Sequence, residues 1–318
     1  MVIKNIVIAG GGPTGLITCG AISEMIRQKI IDTNNIEKIY ATSIGGFIGV
    51  LLCLGYNLTD DVYNFFIMRP WEKTINIESN DIMEMFNGGC YLDKIFNIIK
   101  QDIFLKIFEV YDITEETTLL DLYNITNKEL YMYVININTF NISELSYKTT
   151  PNLSLIKALC MTCCLPPVFR PIEHEGEYYM DGGAIVNYPL NNCIKNSKKD
   201  ETFGFNMMCI EKDFFNPNNS NMFSYINHLF NMSFSMISTS QFQEKIENEI
   251  VLKRTSDSSN INIWTDFFTK KEFRHDVWMN GVNQIKEFLK NKPHLVNQAN
   301  QVQVNQANHA QVNQAHID

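Results

Sequence analysis

Hydrophobic residues in the first part of the chain fall into short continuous runs and into longer runs at helical spacing. A continuous run at residues 3–9 predicts a first strand, and residues 16–28 follow with the spacing of a helix. Residues 38–42 predict a second strand that leads into an apolar helix at 46–54. Continuous apolar strands are typical of parallel sheets, which are buried on both faces. The pattern therefore predicts an α/β domain with a mainly parallel central sheet and helices on both faces.

The rest of the chain continues this alternation. Helices are predicted at residues 59–68, 81–86, 118–125, 153–164, 222–243 and 276–290, and strands at 130–137, 142–147, 177–181, 202–209 and 249–253. Residues 91–110 form a long amphipathic pattern that suits capping a cleft or packing on the sheet. The helix at 222–243 is rich in Phe and Met, which suits a lipid-facing cleft or a protein core, and core packing is the favoured interpretation.

The end of the chain repeats Val-Asn-Gln-Ala at Val296, Val304 and Val312. Such a segment has almost no charge and few large apolar groups, so burial cannot offset the entropy lost on ordering it. We therefore expect a single domain over residues 1–292, with its motifs at 3–210, and a disordered tail over 293–318.

Composition narrows the classes of function. With 318 residues, 45% of them hydrophobic, the chain can bury a large core, and a net charge of -9 argues against nucleic acid and against electrostatic adsorption to anionic membranes. A lipid partner must then be reached by apolar contact. No apolar run approaches the ~18 to 20 residues of a membrane span. Residues 1–12 lack the layout of a signal peptide, so an intracellular protein, soluble or peripherally membrane-associated, is expected.

The eight cysteines lie mostly in apolar surroundings, which predicts reduced, buried thiols. Residues 160–164 contain a C-x-x-C pattern, but no second pair follows at the spacing of a zinc site. A buried helix end is therefore favoured over a metal or redox site.

Residues 10–15 read Gly-Gly-Gly-Pro-Thr-Gly and match the glycine pattern of dinucleotide-binding loops. Such a fold also needs an acidic residue near the end of its second strand, where this chain has Thr42, while Glu37 lies at the other end. A glycine loop also serves as an oxyanion hole, because two backbone N–H groups can converge on one oxygen. We favour this second use, without a cofactor.

Ser43 lies where the second predicted strand meets its helix, which is the arrangement of a nucleophile elbow. The sharp turn requires small neighbours, and Ala41 and Gly45 meet that need two residues before and after the serine. Amides at the helix amino terminus favour negative charge developing beside the hydroxyl. An N-cap serine of a buried helix is the alternative that this pattern alone leaves open.

A third motif, Asp181-Gly182-Gly183, ends an aromatic strand. Alone it predicts only a tight turn. With the glycine loop and Ser43, however, it completes an oxyanion loop, a nucleophile and a base in chain order.

On these three motifs the chain resembles the patatin-like phospholipases, which are serine lipid acyl hydrolases with a Ser-Asp dyad and no histidine. The likeness covers residues 3–210, more weakly at 117–138, 158–171 and 187–189. It implies Ser43 as nucleophile and Asp181 as proton acceptor, without metal or cofactor. It further implies an oxyanion hole from Gly10, Gly11, Gly12 and Ile44, supported by Gly15, Ala41, Gly45, Gly182 and Gly183. The family usually has Gly at the position of Ala41, where one added methyl group is tolerable. It often has a basic residue at the position of Thr14, and this departure affects the expected head-group preference more than catalysis.

The resemblance implies phospholipase A-type cleavage of glycerophospholipid acyl esters through an acyl-enzyme, with a phospholipid or other acyl-lipid substrate and peripheral membrane contact. An ordinary aspartate, with a pKa of about 3.9, is a weak base, so an apolar site that raises this pKa is expected. Tyr178, Tyr179 and Met180 are candidates for those surroundings.

Two alternatives stay open. One is an α/β-hydrolase with a triad of Ser43, Asp181 and either His228 or His275, although that fold normally has several strands before its elbow and here only one is predicted. The other is a catalytically idle lipid-binding protein.

Overall fold

A mixed sheet organises the computed structural model, which describes residues 2–71, 93–166, 168–210, 218, 222–240, 244–255 and 261–296. Its strands in these residues are β1 (Asn5–Ile8), β2 (Lys38–Thr42), β3 (Glu129–Asn136), β4 (Ile142–Leu145), β5 (Ile172–His174), β6 (Glu177–Asp181), β7 (Thr202–Cys209) and β8 (Glu249–Arg254). The order is β5-β6-β3-β2-β1-β7-β8, with β4 also paired to β3. The neighbouring strands β3-β2-β1-β7-β8 pair in parallel. The pairs β3-β4, β3-β6 and β5-β6 are antiparallel. The predicted α/β fold is confirmed.

Helices follow the strands in the predicted alternation. They are α1 (Gly15–Arg27), α2 (Ile44–Cys53), α3 (Asp93–Ile98), α4 (Lys106–Phe108), α5 (Leu119–Thr126), α6 (Leu155–Cys163), α7 (Leu190–Ile194), α8 (Met222–Ser240), α9 (Ile261–Thr269) and α10 (Lys271–Lys290). Wider π-helical turns form Leu58–Val62 and Asn64–Met68, where one regular helix was predicted, and Ile99–Leu105, which joins α3 to α4.

Some elements differ from the prediction. The short, partly exposed β5 has no apolar alternation that would reveal it, whereas α9 was missed although its apolar residues have helical spacing. Helix α10 begins at Lys271 and not at residue 276. The helix at 81–86, the start of the pattern at 91–110 and most of the tail lie outside the described residues. The domain boundary at 292 stays a prediction.

The prediction that the apolar side chains of α8 pack in the protein core is wrong. Among its described side chains, Met222 is 71% exposed and Met236 is 68% exposed. Ile237, near the carboxyl end of the helix, packs against a small cluster around Met180 and Ala184. Apolar helical spacing shows that a face avoids water, but it does not show what covers that face.

Of the described cysteines, all seven are free thiols. This agrees with the reduced thiols predicted from the sequence. Within the same described part of the chain, no helix has the length and apolar character needed to cross a membrane.

Helices α1 and α10 pack closely against each other. A Cβ atom at Gly281 would lie 1.9 Å from the Ile17 carbonyl oxygen, and one at Gly20 would lie 2.1 Å from that of Trp278. Backbone atoms cannot move aside as a flexible side chain can. The two glycines therefore set how closely these helices approach.

We predict that Gly281→Ala destabilises the protein. Alanine gains about 1 kcal/mol of helix propensity over glycine, but overpacking a close contact costs roughly 1–3 kcal/mol or more, and the backbone clash makes this the larger effect. Urea unfolding measures the difference. Asn283→Ala, at an exposed position of the same helix, is the control and should raise stability by at most about 0.7 kcal/mol, through helix propensity alone. Equal stability of the two variants would contradict the packing argument.

Candidate active site

Ser43 occupies the sharp turn between β2 and α2. Its backbone has φ 58° and ψ -135°, a conformation that costs a non-glycine residue roughly 1–3 kcal/mol. The neighbouring structure holds it there: the Ser43 N–H donates to Thr162 Oγ1 at 2.9 Å, and the Gly46 N–H donates to the Ser43 carbonyl at 2.8 Å. A Cβ atom at Gly45 would lie 2.7 Å from the Ile8 carbonyl oxygen, so the predicted need for a small residue is explained.

The glycine loop after β1 lies directly against this turn. A Cβ atom at Gly10 would lie 2.8 Å from Ser43 Cβ and 2.6 Å from Asn187 Oδ1, so only glycine lets the loop come this close. Gly15 lies in the same way against the Ile44 side chain. The Gly10 N–H already donates to the Asn187 carbonyl at 3.1 Å. Residue 10 must therefore be glycine so that the loop can lie against Ser43. Because its N–H is already bonded to Asn187, Gly10 does not have the free amide expected of an oxyanion donor.

Asp181 reaches the serine through strand register. It ends β6 opposite Val134 of β3, one residue beyond Tyr133, which pairs with Thr42 of β2. The short turn Gly182–Ala184 then packs over β3, where a Cβ atom at Gly182 would lie 2.4 Å from the Tyr133 carbonyl and 3.2 Å from Thr42 Cγ2. The antiparallel strand thus brings its last residue level with the end of β2.

The Asp181 carboxyl group is buried, with only 1% of the residue exposed. Burial raises its pKa to about 7, against smaller opposing effects of the Ser43 side chain and the Gly183 N–H. The Gly183 N–H donates to Oδ1 at 2.7 Å. The buried Oδ2 accepts no hydrogen bond within the described part of the chain. One carboxylate oxygen is therefore held in place while the other is open to receive a proton.

The surroundings of Asp181 differ from those expected. Tyr178 is 50% exposed, and none of Tyr178, Tyr179 and Met180 lines the cavity at the site. The thiols of Cys163 and Cys164 lie close to the carboxyl group instead, and burial raises their own pKa values well above the usual range. They therefore stay neutral and keep the site weakly polar.

A cavity of about 340 Å³ opens at these residues. Gly11, Gly12, Ser43, Ile44 and Asp181 form its polar end. Apolar side chains from α3, the following π-helical turn and α9 form much of the remaining wall, among them Phe96, Ile103, Phe104, Trp264, Phe267 and Phe268. The amphipathic pattern at 91–110 therefore lines a cleft in its described part, which is one of the two roles predicted for it.

A model of the patatin-like phospholipase family matches residues 6–194, more than half of the chain. The chain belongs to the patatin-like phospholipase family. It is a patatin-like lipid hydrolase, and this family membership implies an acyl-lipid substrate.

Two sequence relatives and one solved structure show how widely this likeness extends. An uncharacterized protein of Acanthamoeba polyphaga mimivirus is 25% identical over 311 residues, which cover 89% of this chain and 93% of that one. A probable lipid hydrolase of Invertebrate iridescent virus 6 is 28% identical over 201 residues, 62% of this chain and 65% of that one. The crystal structure of VipD from Legionella pneumophila shares the fold with a TM-score of 0.55 at 18% identity, over 92% of this chain and 67% of VipD.

Several residues of this patatin-like site carried little or no signal in the sequence. Thr162 fixes the Ser43 amide and itself donates to the Tyr133 carbonyl at 2.8 Å. Asn187 lies in the stretch after the Asp-Gly-Gly motif that resembles the family, which was its one available signal. Arg254 enters the cavity wall from the end of β8. Thr14, where the family often has a basic residue, is buried and donates to the Gly11 carbonyl at 2.6 Å.

The histidines of the alternative triad lie elsewhere. His275 shares a 2.8 Å hydrogen bond with the Tyr63 hydroxyl, and His228 lies on α8. None of the described residues lining the cavity is a histidine. Within the described residues, no group of three or more His, Cys, Asp or Glu side chains is arranged to hold a metal.

The burial of Asp181 predicts a stability cost that depends on pH. Because the pKa is about 7 in the folded protein and about 3.9 in an unfolded chain, the cost is absent below pH ~4, grows between ~4 and ~7, and is complete above ~7. Asparagine has no charge to bury. Asp181→Asn should therefore gain stability over the native protein as pH rises, by up to about 4 kcal/mol at pH ~8.

Urea unfolding at pH ~4.5, ~6 and ~8 measures this gain. Asp200→Asn, at an exposed position, should stay within about 0.5 kcal/mol of the native protein throughout. A pH-independent difference between Asp181→Asn and the native protein would show that burial does not raise the pKa of the Asp181 carboxyl group.

Proposed function

We propose that the protein is a phospholipase A-type hydrolase that cleaves acyl esters of glycerophospholipids through Ser43 and Asp181. The proposal rests on one observation. A serine on a strained elbow lies beside a buried carboxyl group whose pKa burial raises to about 7, at the polar end of a largely apolar cavity. Such a carboxylate is a much better base near neutral pH than an ordinary aspartate.

In the first half of the reaction, Ser43 Oγ attacks the carbonyl carbon of the acyl ester and its proton passes to Asp181 Oδ2. The new oxyanion accepts hydrogen bonds from the amides of Gly11, Gly12 and Ile44, which lie around the polar end of the cavity. When the tetrahedral intermediate collapses, the lysophospholipid alkoxide leaves with the proton from Asp181. The acyl group stays on Ser43 Oγ.

In the second half, a water molecule attacks the acyl carbonyl carbon through its oxygen, and Asp181 takes a proton from this water. The same amides hold the second oxyanion, and its collapse breaks the bond to Ser43 Oγ, which recovers the proton from Asp181. The fatty acid is released. Because the base must be ionised at the start of each half, activity should rise with pH through about 7.

The cavity lining supports a phospholipid over a neutral glyceride. Arg254 is the cation among the described lining residues, while the walls are mostly aliphatic and aromatic. A guanidinium group can hold a phosphate by two parallel hydrogen bonds. The positive charge that Thr14 does not supply in the glycine loop is thus supplied from β8.

We predict that the two dyad residues are indispensable and the histidines are not. Ser43→Ala should abolish both hydrolysis and labelling by a fluorophosphonate, and Asp181→Asn should lose roughly a thousandfold or more in turnover because the base is gone. His174→Gln, His228→Gln and His275→Gln should each stay within about tenfold of the native protein. Fatty acid released from mixed phospholipids is the measurement.

Circular dichroism of each variant provides the folding control. If His228→Gln or His275→Gln is as inactive as Ser43→Ala while folded, a triad replaces the dyad. If the native protein neither reacts with the fluorophosphonate nor releases fatty acid, the idle lipid-binding alternative is correct.

A further prediction concerns the head group. Arg254→Gln should lower the ratio of phospholipid to diacylglycerol hydrolysis about tenfold, since a charge-assisted pair to phosphate is lost. Lys253→Gln is the matched control, because this neighbouring side chain is exposed and lies outside the cavity wall. An unchanged ratio in Arg254→Gln would remove Arg254 from head-group recognition.

A further inference from the structure

Helix α8 presents a long apolar face to solvent. Its described exposed residues include a stripe at alternating spacings of three and four, which places them on one side of the helix. The stripe consists of Met222, Tyr225, Leu229, Met232 and Met236. Ile226 and Phe230 lie beside it and are also exposed, at 42% and 45%. A contiguous apolar surface of this kind marks an interaction site more often than an ordinary surface.

The helix carries almost no charge. Residues 222–240 contain no Lys, Arg, Asp or Glu, and His228 is the one titratable imidazole among them. Long-range electrostatic attraction to a charged partner or to anionic lipid therefore contributes little along α8. The sequence of the helix favours a partner that accepts apolar side chains without demanding paired charges.

Helix α8 contacts the rest of the protein next to Asp181, the proposed catalytic base. It contacts the turn Gly182–Ala184, and Ile237 packs against the small cluster that contains Ala184. Gly183 and Ala184 both line the cavity, so the helix adjoins the cavity wall. Met208, another cavity residue, is 49% exposed, and Ile210 just after it is 51% exposed. The exposed apolar surface of α8 therefore adjoins the site where an acyl lipid must enter.

We infer that α8 is an interfacial helix that seats the active site on a lipid surface by inserting its Met, Ile, Leu and Phe side chains between lipids. This inference rests on the proposed function, because it is the acyl-lipid substrate that makes a lipid surface the occupant of this face. At 19 residues the helix lies in the plane of the surface, and its apolar face enters the boundary between head groups and acyl chains. Binding comes from buried apolar area and is therefore insensitive to salt.

The test measures flotation of the full chain with phosphatidylcholine vesicles. The pair Ile226→Asp and Leu229→Asp puts two charges on the exposed face and should reduce vesicle partitioning about tenfold or more. The matched control makes the same exchanges, Leu120→Asp and Ile125→Asp, at exposed positions of α5, and should stay within about twofold. Raising NaCl from about 0.1 to 1 M should leave native binding within about twofold.

A milder pair, Met222→Gln and Met236→Gln, removes two strongly exposed methionines without adding charge and should lose about threefold in partitioning. This pair keeps the test available if the aspartate pair does not fold. Turnover of a soluble short-chain ester should be unchanged in all of these variants, while hydrolysis of vesicle phospholipid falls with partitioning.

Three results would overturn the inference. The first is that the native protein fails to float with the vesicles, and the second is that the α8 variants float as well as the native protein. The third is that no vesicle binding is seen and the native protein forms a dimer, which the α8 substitutions dissociate. The last result would assign the face to a second copy of the chain. Flotation does not depend on turnover, and Ser43→Ala should float like the native protein. A failure of the proposed catalysis would therefore appear in the soluble-ester and vesicle-hydrolysis assays and not in flotation.

Discussion

The conformation of Ser43 is the constraint on which the site depends. A positive φ at a non-glycine residue persists only where the surrounding structure determines it, and here that structure comes from three separate parts of the chain. Thr162 of α6 binds the serine amide, Gly45 lets α2 lie on β1, and Gly10 lets the loop lie against the serine side chain. Each of these contacts removes a way for the turn to relax. The packing of α2, α6 and the sheet therefore holds Ser43 in its strained conformation.

The same packing determines the chemistry of Asp181. The closeness that brings the turn Gly182–Ala184 onto β3 also removes water from the carboxyl group, and burial is the main cause of its raised pKa. A better-hydrated aspartate would cost the fold less and would also be a poorer base. The site thus exchanges stability for basicity, as the proposed role of Asp181 requires.

The sequence predicts those parts of the site that depend on neighbours along the chain. The apolar strand, small-residue loop and apolar helix around Gly10 and around Ser43 are local patterns, and both were found in the predicted places. Thr162 and Arg254 join the site only through the sheet and the packing of helices, so no local pattern could identify them. For α8 the pattern correctly gave a helix, but core-facing and lipid-facing helices share the same spacing. The partner of an apolar face is a property of the tertiary structure.

Charge and apolar contact play separate parts in this arrangement. The chain carries a net charge of -9, so an anionic lipid surface repels it as a whole, and the uncharged α8 offers no compensating attraction. The positive charge of Arg254 lies in the cavity wall, where it would contact a lipid only after that lipid has entered. If α8 supplies surface binding and Arg254 supplies head-group recognition, zwitterionic surfaces become the favoured place of action, because apolar insertion proceeds there without opposition from the net charge. The two proposals are then independent in their physical causes, since one depends on buried area and the other on a single ion pair.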